Sequence, residues 1–153
     1  MTASSYHPAA LALQGLFTLA NDAEREIARV LGLNLTDYRA LSALAQSGPV
    51  TVGKLAEDLG ATPATATAIV SRLEARGYMS RHRNTEDRRQ VQVSVTPAAT
   101  RGIMDLMRPL MAATNEHLKA LPADHQAVVA DFLDVAQHLM QDHLHTLSEK
   151  DAR

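Results

Sequence analysis

No cysteine occurs in the 153 residues. That absence excludes disulfide scaffolds, Cys-ligated zinc, thiol catalysis and thiol-based redox sensing. Tryptophan is missing too, and two Phe and three Tyr bring the aromatic content to only 3%. The core must therefore be assembled from Leu, Val, Ala, Ile and Met, which suits helix packing better than a β-sandwich. No uninterrupted apolar run approaches the ~18 residues that a membrane span needs. The apolar stretch from Ala9 to Ala20 has no Lys or Arg before Arg25, so it lacks the basic flank of a signal peptide. A cytoplasmic protein with no membrane partner is the expectation. Enzyme patterns are lacking as well, with no nucleophile elbow, no phosphate-binding loop and no paired carboxylates in a plausible pocket. Neither a catalytic residue nor a cofactor is expected.

What is present begins with a hydrophobic content of 46%, enough for one folded domain with an attached oligomerisation element. The net charge of −2 is unevenly spread. Residues 72–89 carry Arg72, Arg76, Arg81, Arg83, Arg88 and Arg89 against Glu74, Glu86 and Asp87, a local +3. Residues 1–71 carry −2 and residues 97–153 carry −3. A polyanion is steered by the local field, so one basic segment between acidic flanks is compatible with nucleic-acid binding.

Leu13, Leu16, Phe17, Ala20, Ala23, Ile27 and Val30 recur at helical spacing, which predicts an amphipathic helix over residues 8–31 ended by Gly32. Thr36 is the expected cap of a second helix with Tyr38, Leu41 and Leu44 inward, stopped at Ser47-Gly48-Pro49. Thr51 caps a short helix that buries Val52, Leu55, Ala56 and Leu59. Gly60 permits a tight reversal, and Thr62-Pro63 opens the next helix with its cap and a first-turn proline. That helix buries Ile69, Val70 and Leu73 and closes at Gly77. Two helices joined by about three residues cross at a large angle.

The period then switches. Val91, Val93 and Val95 alternate with Gln90, Gln92 and Ser94, a strand with one buried face, paired to Tyr78–Arg83 through the turn Asn84-Thr85-Glu86-Asp87. Thr96-Pro97 starts a long helix to about Ala120, in which Pro109 should produce a kink. Leu121-Pro122 breaks the chain, and a last helix is expected from Ala123 to about Leu147. The fold class is mainly α with a small β-wing, a winged helix-turn-helix with added helices.

In such a module the second helix enters the major groove and the wing reaches an adjacent minor groove. The groove-facing positions are Ala64, Thr65, Thr67, Ala68, Ser71 and Arg72. Lys54, Thr62 and Arg76 are placed to meet phosphates, and Arg83 lies on the hairpin. At the wing tip Arg88 and Arg89 supply cationic forks, with Arg89 expected in the minor groove and Asp87 orienting a neighbouring arginine by a bidentate pair. The helix lacks the Arg, Asn and Gln that make bidentate base contacts, so A/T-rich groove shape should carry part of the readout. Arginines on a hairpin also serve as solvated turns, and winged helices also dock proteins. A salt-dependent gel shift separates these readings from DNA binding.

The residues Leu55-Ala56-Glu57-Asp58-Leu59-Gly60, Thr65-Ala66-Thr67 and Leu73-Glu74-Ala75-Arg76-Gly77-Tyr78 resemble the MarR family of bacterial transcriptional regulators. The most specific likeness is Asp87-Arg88-Arg89-Gln90-Val91-Gln92-Val93-Ser94-Val95-Thr96, which is similar to that family's wing signature. Two positions depart from it. Ala68 stands where the family often has an arginine, and Ala99 where a glycine is common.

The resemblance implies a DNA-binding repressor that acts as a homodimer on a pseudo-palindromic double-stranded site. It divides the chain into a dimerisation helix at 1–34, a DNA-binding domain at 35–96 and dimerisation helices at 97–153. Leu13 and Phe17 of the first helix would join the interface. Leu106, Leu110, Val128, Phe132, Val135 and Leu139 independently offer more apolar surface than one small winged helix covers. The resemblance further implies a small anionic or phenolic ligand in a cleft near Tyr38 and Arg39, although Tyr38 suits the core better.

Seven histidines raise a metal-responsive alternative. His138, Asp142 and His145 share a helical face, with His117 and His125 near the preceding turn, but no dense ligand motif is present and no metal is expected.

Overall fold

The computed structural model describes residues 6–151. The chain divides into two compact units, Met1–Leu106 and Met107–Arg153.

In the first unit, helix α1 spans Pro8–Val30, with Pro8 in its first turn and the His7 ring accepting from the Ala9 amide at 3.1 Å. Helix α2 spans Leu35–Ser47. Its cap is Asn34 rather than Thr36: the Asn34 side chain accepts the Asp37 amide at 2.7 Å. Starting the helix there lets Leu35 pack against the core, and that burial decides between two good capping residues. A short strand β1, Val50–Thr51, follows, and Thr51 at once caps α3, Val52–Leu59, by accepting the Lys54 amide. Gly60 has φ +61°, the left-handed conformation that lets its amide and that of Ala61 turn back onto Glu57 and Ala56. Helix α4, Pro63–Ala75, then starts from its Thr62 cap.

Strands β2, Met79–Arg83, and β3, Val91–Val95, form the hairpin, and β1 adds to the far side of β3 in the order β1-β3-β2. The antiparallel register pairs Val93 with both Val50 and Arg81. The third strand is absent from the sequence reading because two residues are too short to display alternation. Val93 is fully buried, whereas Val91 is exposed because the hairpin tip projects beyond the core. Leu41, Leu44, Leu55, Ile69, Val70, Leu73 and Met79 build that core with Val93, joined by Ala28, Leu33 and Tyr38.

Helix α5 runs Pro97–Lys119, capped by Thr96, and continues through Pro109 as one element. The ring removes one backbone donor there without ending the helix. In the second unit, helix α6 runs Ala123–Asp151, one turn beyond the expected end. Among the described residues of that unit only Ala136 is buried. No helix is long and apolar enough to cross a membrane among the described residues.

Candidate nucleic-acid interface

Helix α4 presents Thr62, Ala64, Thr65, Thr67, Ala68, Ser71 and Arg72 on its exposed side, with Ala66, Ile69, Val70 and Leu73 inward. Most of its polar side chains are already occupied. Thr62 accepts the Thr65 amide at 3.2 Å, and the two hydroxyls share a 2.8 Å hydrogen bond. Thr67 donates to the Pro63 carbonyl at 2.9 Å. These are local helix-start bonds, set by hydroxyl residues at three- and four-residue spacing.

Arg72 lies on the exposed side, but its guanidinium turns to α2. Nε and Nη2 donate to the two carboxylate oxygens of Asp37 at 3.0 and 2.7 Å. Asp37 is 4% exposed and is the one buried charged residue among the described residues. A carboxylate taken out of water must be paired, and a bidentate fork satisfies both oxygens. Its hydrogen bond to Asp37 holds the Arg72 guanidinium still more firmly protonated.

Arg76, expected at a phosphate, reaches instead the carbonyls of Leu31 and Gly32 at the end of α1. Lys54 pairs with Asp58 on its own helix at 2.8 Å, a hydrogen bond that raises its pKa with help from the Asp58 charge. Arg81 was not singled out from the sequence. Its Nη2 donates to Ser71 Oγ at 3.0 Å and its Nε lies 3.5 Å from Glu74, tying β2 to α4. The available signal was Ser71 and Glu74 at three-residue spacing, facing a strand with an arginine at the matching register.

The wing is different. Asp87 accepts the Arg89 amide at 3.0 Å, Asn84 accepts the Glu86 amide at 2.9 Å, and the Gln90 amide closes onto the Asp87 carbonyl. Asp87 therefore shapes the turn instead of gripping a guanidinium, because two-residue spacing brings its carboxylate to the backbone first. Among the described ion pairs none involves Arg83, Arg88 or Arg89, and all three are exposed. Arg83 and Arg88, with Asn84 and Thr85, line an open hollow of about 400 Å³.

Away from this face, Tyr38 is a core residue whose pKa is raised by burial and by the Glu24 charge, while Arg39 pairs with Glu24 at 3.0 Å. Phe17 and Leu106 are exposed and Leu13 is half-buried. Leu110, Val128, Phe132, Val135 and Leu139 are all bare to solvent in the single chain. His138 Nδ1 lies 3.6 Å from the Asp134 carboxylate and His145 Nε2 3.3 Å from that of Glu149, each one turn away on α6. Among the described residues no three His, Asp or Glu converge on a point that could hold a metal.

Residues 33–91 match the family model described as MarR family. The chain is 32% identical over 122 residues to the uncharacterized HTH-type transcriptional regulator YcgE of Bacillus subtilis, covering 80% of this chain and 79% of that one. It is also 30% identical over 86 residues to the HTH-type transcriptional repressor MdtR of Bacillus subtilis, 56% of each chain. Among solved structures, the transcriptional regulator Tm0710 of Thermotoga maritima superposes with a TM-score of 0.65 at 23% identity, over 90% of this chain and 96% of that one. With the wing, the capped helix pair and these relatives in agreement, the chain belongs to the MarR family of winged helix-turn-helix transcriptional regulators.

Proposed function

We propose that the protein is a dimeric, sequence-specific repressor that binds double-stranded DNA with α4 in the major groove and the wing in the minor groove. The observation that carries this reading is the division among its cations. Lys54, Arg72, Arg76 and Arg81 are held by groups of the protein, whereas Arg83, Arg88 and Arg89 at the wing have no described ion-pair partner. Free arginines on a projecting hairpin are a source of phosphate and minor-groove contacts. The groove side of α4 offers Ala64, Ala68 and threonine methyls, which favours close approach and contact with thymine methyls over bidentate base pairing.

The exposed Leu110, Val128, Phe132, Val135 and Leu139, and separately the exposed Phe17 and Leu106 with the half-buried Leu13, support a second copy of this chain as the partner that covers them. A two-fold dimer then reads a pseudo-palindrome with half-sites about one DNA turn apart. A small anionic or phenolic ligand acting near Tyr38 and Arg39 would release DNA by favouring another spacing of the two α4 helices. Repression accords with the role of MdtR, the transcriptional repressor among its relatives.

The test is a fluorescence-anisotropy titration with a duplex from the region upstream of the protein's own gene, repeated across salt concentrations. The expected result is saturable binding by a dimer, with affinity falling steeply as salt rises. Binding that is absent at low salt would overturn the reading.

A further inference from the structure

The two helices that matter most to a dimeric DNA reader, α1 and α4, meet at their C-terminal ends. Each ends in the same way. At α1 the Gly32 amide returns to Arg29 and the Leu33 amide to Ala28; at α4 the Gly77 amide returns to Glu74 and the Tyr78 amide to Leu73. These bonds satisfy inner carbonyls of each last turn and leave the carbonyls of the closing residues pointing outward.

Side chains from the end of α4 fill the outward carbonyls of α1. Arg76 Nη1 donates to Gly32 O, Arg76 Nη2 donates to Leu31 O at 3.1 Å, and the Tyr78 hydroxyl donates to the same Leu31 O at 2.9 Å. The guanidinium also lies over the Tyr78 ring, 5.6 Å from its centroid. A cation here sits at the negative end of the α1 dipole, where it is favoured. Gly32 leaves room beside that guanidinium. Its φ of +66° suits glycine, and a Cβ at that position would stand 2.9 Å from Arg76 Nη2. Backbone, side-chain and ring contacts thus converge on one guanidinium.

We infer that Arg76 is a positioning residue for DNA recognition: with Tyr78 it clasps the end of α1 and fixes the angle at which α4 is presented, instead of contacting a phosphate. The inference rests on the DNA-binding reading above.

A planar fork over a ring with two carbonyl acceptors cannot be reproduced by an ammonium, although the charge can. The experiment therefore compares Arg76→Lys, Arg76→Ala and Tyr78→Phe in the full chain, using the same upstream duplex at several salt concentrations and a temperature well below each melting point. Arg76→Lys and Arg76→Ala should weaken binding by a similar factor, roughly tenfold, with the slope of log affinity against log salt unchanged. Tyr78→Phe, which alters no charge, should weaken it by roughly threefold. Amide hydrogen exchange across residues 63–75, measured without DNA, should quicken in all three variants.

A phosphate contact gives the opposite pattern. Arg76→Lys would then keep near-native affinity and Arg76→Ala would lower the salt slope by about one, which overturns the inference. Binding and exchange both at the wild-type level would also overturn it. If the wild-type chain binds no DNA, the repressor reading fails, and exchange alone decides whether the clasp holds α4. Unchanged exchange then removes the clasp as well.

Discussion

Ser71 on α4 and Arg81 on β2 are joined by a 3.0 Å hydrogen bond, so the recognition helix and the wing strand are fastened side chain to side chain. Glu74, one turn further along α4, faces the same guanidinium at 3.5 Å. Arg81 thus adds a side-chain tie between α4 and β2 to the packing of Leu73 and Met79 in the core they share. Ser71→Ala removes the bond without touching the charge. An exposed hydrogen bond contributes about 0.5–1.5 kcal/mol. The melting temperature should therefore fall by only a few degrees, while DNA affinity falls by roughly two- to tenfold. An anisotropy titration beside a thermal melt reads both, and a loss confined to the melt would show that the bond serves only stability.

The wing arginines make a separable set. Arg89→Ala should cost about 1–3 kcal/mol of binding, and it should relax discrimination between A/T-rich and G/C-rich flanks. Arg83→Ala should weaken all sequences alike and reduce the salt slope by about one, as expected of a backbone contact. Competition titrations with two duplexes differing only in the flanks distinguish these effects. Equal losses on both duplexes for Arg89→Ala would place that side chain on the backbone too.

What could be read from the residues alone follows the distance over which each feature is determined. The Thr51 and Thr62 caps and the Pro63 start were legible because each depends on bonds spanning three residues. The α2 start was misplaced by two residues because Asn34 and Thr36 cap equally well in isolation, and packing of Leu35 breaks the tie. Strand β1 needs β3, some forty residues away, to exist at all. The cations show the same limit. Their clustering was plain, but Arg72 finds Asp37 across 35 positions and Arg76 finds Gly32 across 44, so charge was legible and employment was not. Asp87 is a local misreading, since an aspartate two residues before an amide is as ready to close a turn as to hold an arginine.

Asp37 and Arg72 illustrate what that employment is worth. Arg72→Ala leaves a carboxylate of 4% exposure without its two donors. Arg72 is itself half-exposed, so the pair is buried on one side only, but removing the arginine still leaves Asp37 with part of its desolvation penalty uncompensated. The single variant should melt roughly 5 °C or more below wild type. The Asp37→Ala, Arg72→Ala double variant should recover roughly half of that loss. A double variant that melts lower than the single one would mean that the side-chain volume, not the charge pair, matters.

Tyr38 gives the protein a signature in alkali. Burial, then the nearby Glu24 carboxylate, raise its pKa above the ordinary value of 10.0. Both disfavour a phenolate at this site. The folded chain therefore keeps the Tyr38 proton at a pH where the unfolded chain has released it. The sign of the linkage follows: the neutral phenol's contribution is fully present below about pH 10 and is lost as pH rises from there through the folded-state pKa. Stability should fall across that window and be flat with respect to Tyr38 below it. Tyr38→Phe cannot ionise, so it should flatten the alkaline limb of a plot of urea midpoint against pH while leaving the neutral limb only shifted. Parallel alkaline limbs for the two proteins would assign the loss to the other tyrosines and the lysines instead.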